Sequence, residues 1–450
     1  MLAVPAAPLT PSEAARRAAA APGAFWLSAP ASGEAVDEAQ VARDLVGAQP
    51  IATVRGATPS DLARLEQAWG EARAAWGGEG EAAAGVPVAV GWLSYELGRR
   101  LVGLPPHAVE HPLFEFHFND AVWVREGTGA ATIRARDRAA AERLAELLSR
   151  PRPTEPPLLG ALEPVHPDQT FLDGVARILD YLQAGDAYQV NLSRRLRATC
   201  KAGDPTLLAA ALRAGAPAPH AAFIAAAGTG DLGEAVTILG NSPERFLSLS
   251  IDGVVETRPI KGTRPRGPDA AADRAAAAEL AAAAKDRAEH VMIVDLERND
   301  LGRVCRAGSV EVVSLARVVS LPTVHHLIST VRGQLRPEIG LAALLAATFP
   351  GGSVTGAPKR RAMQIIDELE PAPRGVYTGA SGWLGAAGDL DLAIAIRTAV
   401  LRGGQLELSV GGGIVIDSTP EGELRETEVK ARAFAALGGA KTDRQPPPPR

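Results

Sequence analysis

Short strand-forming runs follow one another along this chain without a helix alternating between them, and that order limits the fold more than any other feature. Parallel neighbours need a long crossover, usually a helix, whereas antiparallel neighbours need only a turn. Runs at 24–28, 88–93, 187–196, 246–255, 379–384, 390–400 and 405–410 have strand character. Those at 121–124 and 131–135 read as a pair across Gly127 and Gly129, and those at 221–227 and 235–239 as a hairpin. Helical apolar spacing marks 60–76, 137–149, 169–183, 206–214 and 420–437, and 269–300 is alanine-rich and helix-forming. The order predicts an α+β fold, with antiparallel sheets and helices on the outside. It does not fit a doubly wound parallel sheet or an α/β barrel.

One stretch interrupts this pattern. Residues 151–157 hold Pro151, Pro153, Pro156 and Pro157, which no helix or central strand tolerates. The chain is therefore expected to divide into a first segment, 1–150, a linker, 151–164, and a second segment, 165–437, with a disordered proline-rich tail at 438–450. The two segments could still share one core, for which an apolar content of 46% is ample. A net charge of −5 gives no footprint for nucleic acid or an anionic membrane. No apolar run reaches the ~18 residues of a membrane span. Arg16 and Arg17 follow the apolar start, the wrong order for a secretory leader. Cys200 and Cys305 are the only cysteines, too few for a disulfide framework or a thiolate zinc site. A soluble cytoplasmic protein is expected.

Two glycine patterns imitate nucleotide motifs and fail. Residues 228–233 match GxGxxG but lie between two strand runs, where the motif must open a helix. In Pro350-Gly-Gly-Ser-Val-Thr-Gly-Ala-Pro358, Ala357 stands where a P-loop needs lysine.

Candidate chemistry is spread along the second segment. Pro259 and Gly262 bracket Lys261 at the end of a strand run, a setting that can lift an amine out of water and lower its pKa. The same setting suits a surface lysine at a strand end. Asp286 and Glu289 are three apart on one predicted helix, and Glu423, Glu426 and Lys430 share a face of another. Either face could be solvated, or the two could hold a hard cation such as Mg²⁺ if they meet. His325 and His326, adjacent on a strand, point to opposite sides, so one at most reaches a given site. Arg397 lies in an apolar run and would suit a carboxylate. Gly411-Gly-Gly413 lets backbone amides approach an anion.

Taken together, residues 165–437 resemble the chorismate-utilising enzymes. The matching stretches include Ala187-Tyr-Gln-Val-Asn-Leu-Ser193, Ser242-Pro-Glu-Arg-Phe246, Arg258-Pro-Ile-Lys-Gly-Thr263, Ala288-Glu-His-Val-Met-Ile-Val-Asp295, Arg298-Asn-Asp-Leu-Gly302 and Val324-His-His-Leu327. They continue through Phe349-Pro-Gly-Gly-Ser-Val-Thr-Gly-Ala-Pro-Lys359, Tyr377-Thr-Gly379, Ile396-Arg-Thr398, Gly411-Gly-Gly-Ile414 and Glu426-Thr427. The first segment matches more loosely, at Phe25-Trp-Leu-Ser28 and Gly91-Trp-Leu-Ser-Tyr95.

The resemblance implies large antiparallel sheets packed as a sandwich with helices outside. It implies Mg²⁺ held by Glu289, Glu426, Glu423 and Asp286 on the ring carboxylate of chorismate. Arg397, Tyr377 and the amides around Gly411 and Gly413 would bind carboxylates, Thr263 would line the ring pocket, and Lys430 would sit near the metal-bound carboxylate. Glu244 would be the general acid for the departing C4 hydroxyl, with His326 assisting around the ring.

Within the family, Lys261 marks the aminodeoxychorismate branch, where this lysine attacks the substrate as a covalent nucleophile. Ammonia would come from a separate glutamine amidotransferase subunit, on the way to 4-aminobenzoate and folate. Anthranilate synthases usually carry alanine at this position. Gln189 replaces the lysine that activates water in isochorismate and salicylate synthases. His290 points toward the anthranilate branch instead. A non-catalytic chorismate-binding subunit is a third reading, and it would leave the acid, metal and lysine positions broken, which they are not.

Overall fold

A computed structural model describes residues 1–30, 41–77, 80–109, 111–152, 155–226 and 236–438. The 228–233 glycine pattern, Pro153 of the linker and the tail from 439 lie outside these residues. The described residues form two antiparallel sheets, one of twelve strands and one of ten. The expected α+β sandwich is what folds.

The larger sheet runs from Leu2–Pro5 through Phe25–Pro30, His220–Ala225 and Thr237–Ser242 to Thr398–Arg402, Gln405–Ile414 and Gln189–Thr199. The smaller one runs from Ile260–Pro265 through Val324–Gln334, Val254–Arg258, Arg245–Leu249, Leu390–Ile394 and Ala380–Gly385 to Pro87–Leu93, Phe114–Phe118 and Ala52–Gly56. Phe25, Leu27 and Leu45 from the first meet Val90, Trp92 and Trp383 from the second in a buried layer. Trp26, between Phe25 and Leu27, points the other way, into a core formed with the helices Pro11–Ala18, Arg138–Ser149 and Pro420–Ala435. This alternation is the strand period of two. The helices Leu62–Trp76, Ala284–Gly302 and Leu341–Thr348 cover the outer face of the smaller sheet.

Both sheets draw strands from both sides of the proline-rich stretch. Phe25–Pro30 pairs with His220–Ala225, and Pro87–Leu93 pairs with Ala380–Gly385.

Three expected elements are subdivided. The run 246–255 is two strands, Arg245–Leu249 and Val254–Arg258, because Gly253 takes φ 75° in a turn closed by its N–H donating to Ser250 O. Lys261 consequently lies on the following strand, Ile260–Pro265. The run 390–400 breaks at 395–397, where Arg397 has φ 47°. The helix expected over 269–300 is two, Ala270–Ala282 and Ala284–Gly302, parted at Ala283 in an extended conformation. Propensity alone does not reveal that break, since alanine favours helix on both sides of it.

Because each sheet is completed across the linker, a fragment of residues 165–438 is expected to lack native structure alone. It should regain structure when coexpressed with residues 1–156, as measured by circular dichroism and cooperative thermal melting. A fragment that melts cooperatively by itself would refute this.

Candidate active site

Five of the residues proposed from sequence, Gln189, Lys261, Glu423, Glu426 and Lys430, meet at the glycine run Gly411–Gly413. A Cβ built on Gly413 would lie 2.8 Å from Gln189 Cδ and 3.0 Å from Lys261 Nζ. One on Gly412 would lie 2.9 Å from Glu423 Oε2, 3.5 Å from Glu426 Oε1 and 3.6 Å from Lys430 Nζ. Only residues without side chains leave room for both groups. Lys430 ties its helix to the strand, donating to Gly411 O at 2.6 Å and pairing with Glu426 at 2.6 Å.

Lys261 enters from the other sheet. Its strand bulges between Lys261 and Thr263 as it pairs with Val324–Gln334, and the intervening Gly262 takes φ 69°. A side chain at Gly262 would also meet Leu280 and Asp286. The residue as a whole is half-buried, but its amine lies deep. Burial holds that amine below the ordinary lysine value and Lys430 lowers it further, while Glu289, Glu244 and Glu426 pull it back. Gln189 beside it has both amide atoms buried, with no hydrogen-bond partner among the described residues.

Glu244 is 4% exposed and is pushed up to about 7, mainly by burial. The nearby Ser353 hydroxyl favours the carboxylate, although it lies outside good hydrogen-bond geometry, and Lys261 adds to this effect. The Ile260 N–H approaches Glu244 Oε1 at 3.4 Å. A carboxyl so poised keeps much of its proton near neutral pH and can donate it.

His326 and His325 separate as the strand period requires. His326 Nδ1 is 3.0 Å from Thr263 Oγ1 and 3.2 Å from Gly262 O, and its buried Nε2 has no partner among the described residues. The carbonyl contact places the proton on Nδ1 and leaves Nε2 as an acceptor. Burial first, then the Arg397 charge, push His326 down to about 4. His325 turns away to Asp273 at 3.0 Å and Ser320 at 2.8 Å.

Arg397, half-buried, has no carboxylate paired with its guanidinium among the described residues, and burial lowers its pKa. A cation held this way can bind an anion. Tyr377, 6% exposed, is carried by the turn before Ala380–Gly385. The next residue, Thr378, donates its N–H to Ala395 O, two residues before Arg397.

The charges of the two acidic helix faces act on one another. Burial raises Glu289, with Asp286 adding to it, and the charge of Glu426 acts on it as well. Glu423 is raised by burial and by Glu426 and Glu289, and it accepts from Ser418 Oγ at 2.6 Å. Burial would also raise Glu426, but Lys430, Lys261 and Lys285 bring it below the ordinary value. Asp286 acts on Glu289 through its charge but is itself paired with Arg264 at 3.0 Å. Among the described residues no three histidine, cysteine or acidic side chains are close enough to hold a metal ion unaided. This donor set fits Mg²⁺ better than a fully caged ion, because Mg²⁺ takes one or two carboxylates and completes its shell with water and substrate oxygens.

Several residues here were not singled out from the sequence. Ser353 lies in the glycine-rich stretch set aside as a failed P-loop. Lys285 precedes Glu289 by one helical turn, a spacing that was legible. Glu297 resembles any helix charge, yet it is 6% exposed and accepts from Thr257 Oγ1 at 2.8 Å. Burial, with Glu244 and Asp300 adding, pushes it up to about 8.

Glu297 gives a pH test of this arrangement. Its carboxyl ionises near 4.5 when unfolded but keeps its proton to about 8 when folded. Between those values the native state binds the extra proton, so stability falls as pH rises. Glu297→Gln cannot ionise, so its stability relative to wild type should improve by on the order of a few kcal/mol from pH 5 to pH 8. Urea unfolding at both pH values measures this, and a difference independent of pH would contradict it.

Comparison with known proteins identifies the family. A family model described as chorismate binding enzyme matches residues 23–436. Aminodeoxychorismate synthase component 1 of Escherichia coli is 49% identical over 251 residues, 56% of this chain and 53% of that protein. Anthranilate synthase component 1 of Streptomyces coelicolor is 48% identical over 265 residues, 59% of this chain and 50% of that protein. The chain thus spans about half the length of these curated relatives. The crystal structure of anthranilate synthase component I from Streptococcus pneumoniae superimposes with a TM-score of 0.73 at 30% identity, covering 90% of this chain and 94% of that one. With the family model extending across both sheets and every element of the site, the chain belongs to the chorismate binding enzyme family.

Proposed function

We propose that the chain is the chorismate-converting component of an aminodeoxychorismate synthase. It would replace the C4 hydroxyl of chorismate by ammonia supplied by a separate glutamine amidotransferase, giving 4-amino-4-deoxychorismate for 4-aminobenzoate and folate synthesis. The observation that carries this reading is the buried Lys261 amine, held below its ordinary pKa in the same site as a Glu244 carboxyl raised to about 7.

In this mechanism Arg397 and Tyr377 bind one carboxylate, and the amides at Gly411 and Gly413 face the other end of the substrate. Glu289, Glu423 and Glu426 would hold Mg²⁺, whose charge, when bound, would offset that of the ring carboxylate. Neutral Lys261 Nζ forms a bond to C2. The conjugated ring double bonds carry the electron pair to C4, the C4–O bond breaks, and the Glu244 proton leaves with the hydroxyl as water. Ammonia then bonds to C4, the pair returns along the ring, and the C2–Nζ bond breaks to free Lys261. His326, neutral, presents Nε2 as an acceptor toward the ring. Gln189 supplies no base, which disfavours water as the nucleophile.

A second reading keeps the fold and makes anthranilate, with ammonia adding at C2. It draws on His290, fully buried with Nε2 2.6 Å from Ser329 Oγ, the residue type that anthranilate synthases resembling this chain usually carry. Incubation of the chain with chorismate, Mg²⁺ and ammonium, followed by product analysis, decides between them. Aminodeoxychorismate is expected; anthranilate with released pyruvate, and no aminodeoxychorismate, would sink the first reading. Lys261→Ala should lower aminodeoxychorismate formation by about 100-fold or more, whereas an anthranilate synthase should tolerate alanine here.

A further inference from the structure

Arg374 lies in no contact expected of the substrate, yet it is the most heavily bonded cation next to the site. Its side chain is 2% exposed. Nε and Nη2 fork onto Glu370 at 2.8 and 2.7 Å. Nη1 donates to Val354 O at 3.0 Å and to Thr378 Oγ1 at 3.2 Å, and Nη2 donates to Asn191 O at 2.8 Å. These five bonds use a guanidinium's fork in full. The Tyr377 ring lies 5.9 Å from the guanidinium carbon.

The three bonds that do not go to Glu370 end beside residues of the site. Asn191 follows Gln189 by two positions on one strand face, Val354 follows Ser353, and Thr378 follows Tyr377. Thr378 also holds φ 58°, which a β-branched residue adopts only when its surroundings impose it. Those surroundings are Ala395 O, which accepts the Thr378 N–H at 2.9 Å, and Arg374, which donates to its hydroxyl. The hydroxyl in turn donates a hydrogen bond to Tyr377 O at 2.6 Å.

We propose that Arg374 is a positioning residue that fixes Tyr377, and through Thr378 the backbone leading to Arg397, so that the two form one anion-binding wall. The Glu370 carboxylate neutralises its charge, so it acts by geometry and leaves the attraction for substrate to Arg397. This role rests on the proposed reading of the site as a chorismate site. Lysine cannot replace it, because one ammonium cannot fork onto Glu370 and still reach Val354, Asn191 and Thr378.

The test is steady-state kinetics of the full chain with chorismate, Mg²⁺ and ammonium, alongside thermal melting. Arg374→Lys should raise the KM for chorismate by about tenfold or more, with kcat changed less and the KM for ammonium unchanged. A purely structural role would lower the active fraction, and with it the apparent kcat, while leaving the chorismate KM where it was. Thr378→Val removes the hydroxyl through which Arg374 reaches Tyr377, cutting both the Arg374 bond and the bond to Tyr377 O, and decides the matter if Arg374→Lys does not fold. A folded variant with a chorismate KM within twofold of wild type overturns the positioning role. Absence of turnover in the wild type rejects the proposed function instead, which keeps the two failures apart.

Discussion

The strands Gln189–Thr199 and Gln405–Ile414 pair in unbroken antiparallel register, and near one end that register sets Asn191 against Gly413 and Ser193 against Gly411. The site depends on this end of the ladder. Backbone pairing holds the glycine run in place, while the missing side chains leave the volume into which Lys261, Gln189, Glu423, Glu426 and Lys430 project. Two sheets and a helix can approach one segment this closely only where that segment has no Cβ atoms to hold them off. The bulge at Gly262 does the corresponding work on the facing sheet, bringing Lys261 and the Thr263–His326 pair toward the same space.

Burial then sets the chemistry. It lowers the lysine and the histidine and raises Glu244, because low-dielectric surroundings disfavour whichever form is charged. The amine and the carboxyl are therefore both shifted toward their neutral forms, against the charged forms that their ordinary pKa values favour. The same effect makes the site costly. Glu297 and Glu244 sit buried within each other's field, and their ionisation is deferred at the expense of stability as pH rises.

Much of the fold was legible because antiparallel strands need only local signals. The turns, the short strand at Phe25-Trp26-Leu27 and the helix stripes were all visible in the residue order. The breaks were not. Val254 continues the apolar pattern of Phe246, so only the turn at Gly253 divides that run. Arg397 looked like a strand residue, but it sits at φ 47°, with its carbonyl accepting from Asn241 N–H at 3.0 Å. The proline-rich linker suggested two segments, and the strand pairing across it unites them. Pairing between distant strands leaves no trace in local composition, which is why the residue order left a shared core open without deciding it.

The sequence by itself determined the antiparallel class, the family likeness and the set of residue types offered to the site. Those follow from periodicity and from motifs read in order. Tertiary structure alone decided which acids face one another, which histidine turns inward, that Asp286 is claimed by Arg264 and that Glu297 is buried beside Glu244. The physical reason is range: hydrogen bonding and propensity act over a few residues, whereas burial and charge act through space between segments far apart in the chain.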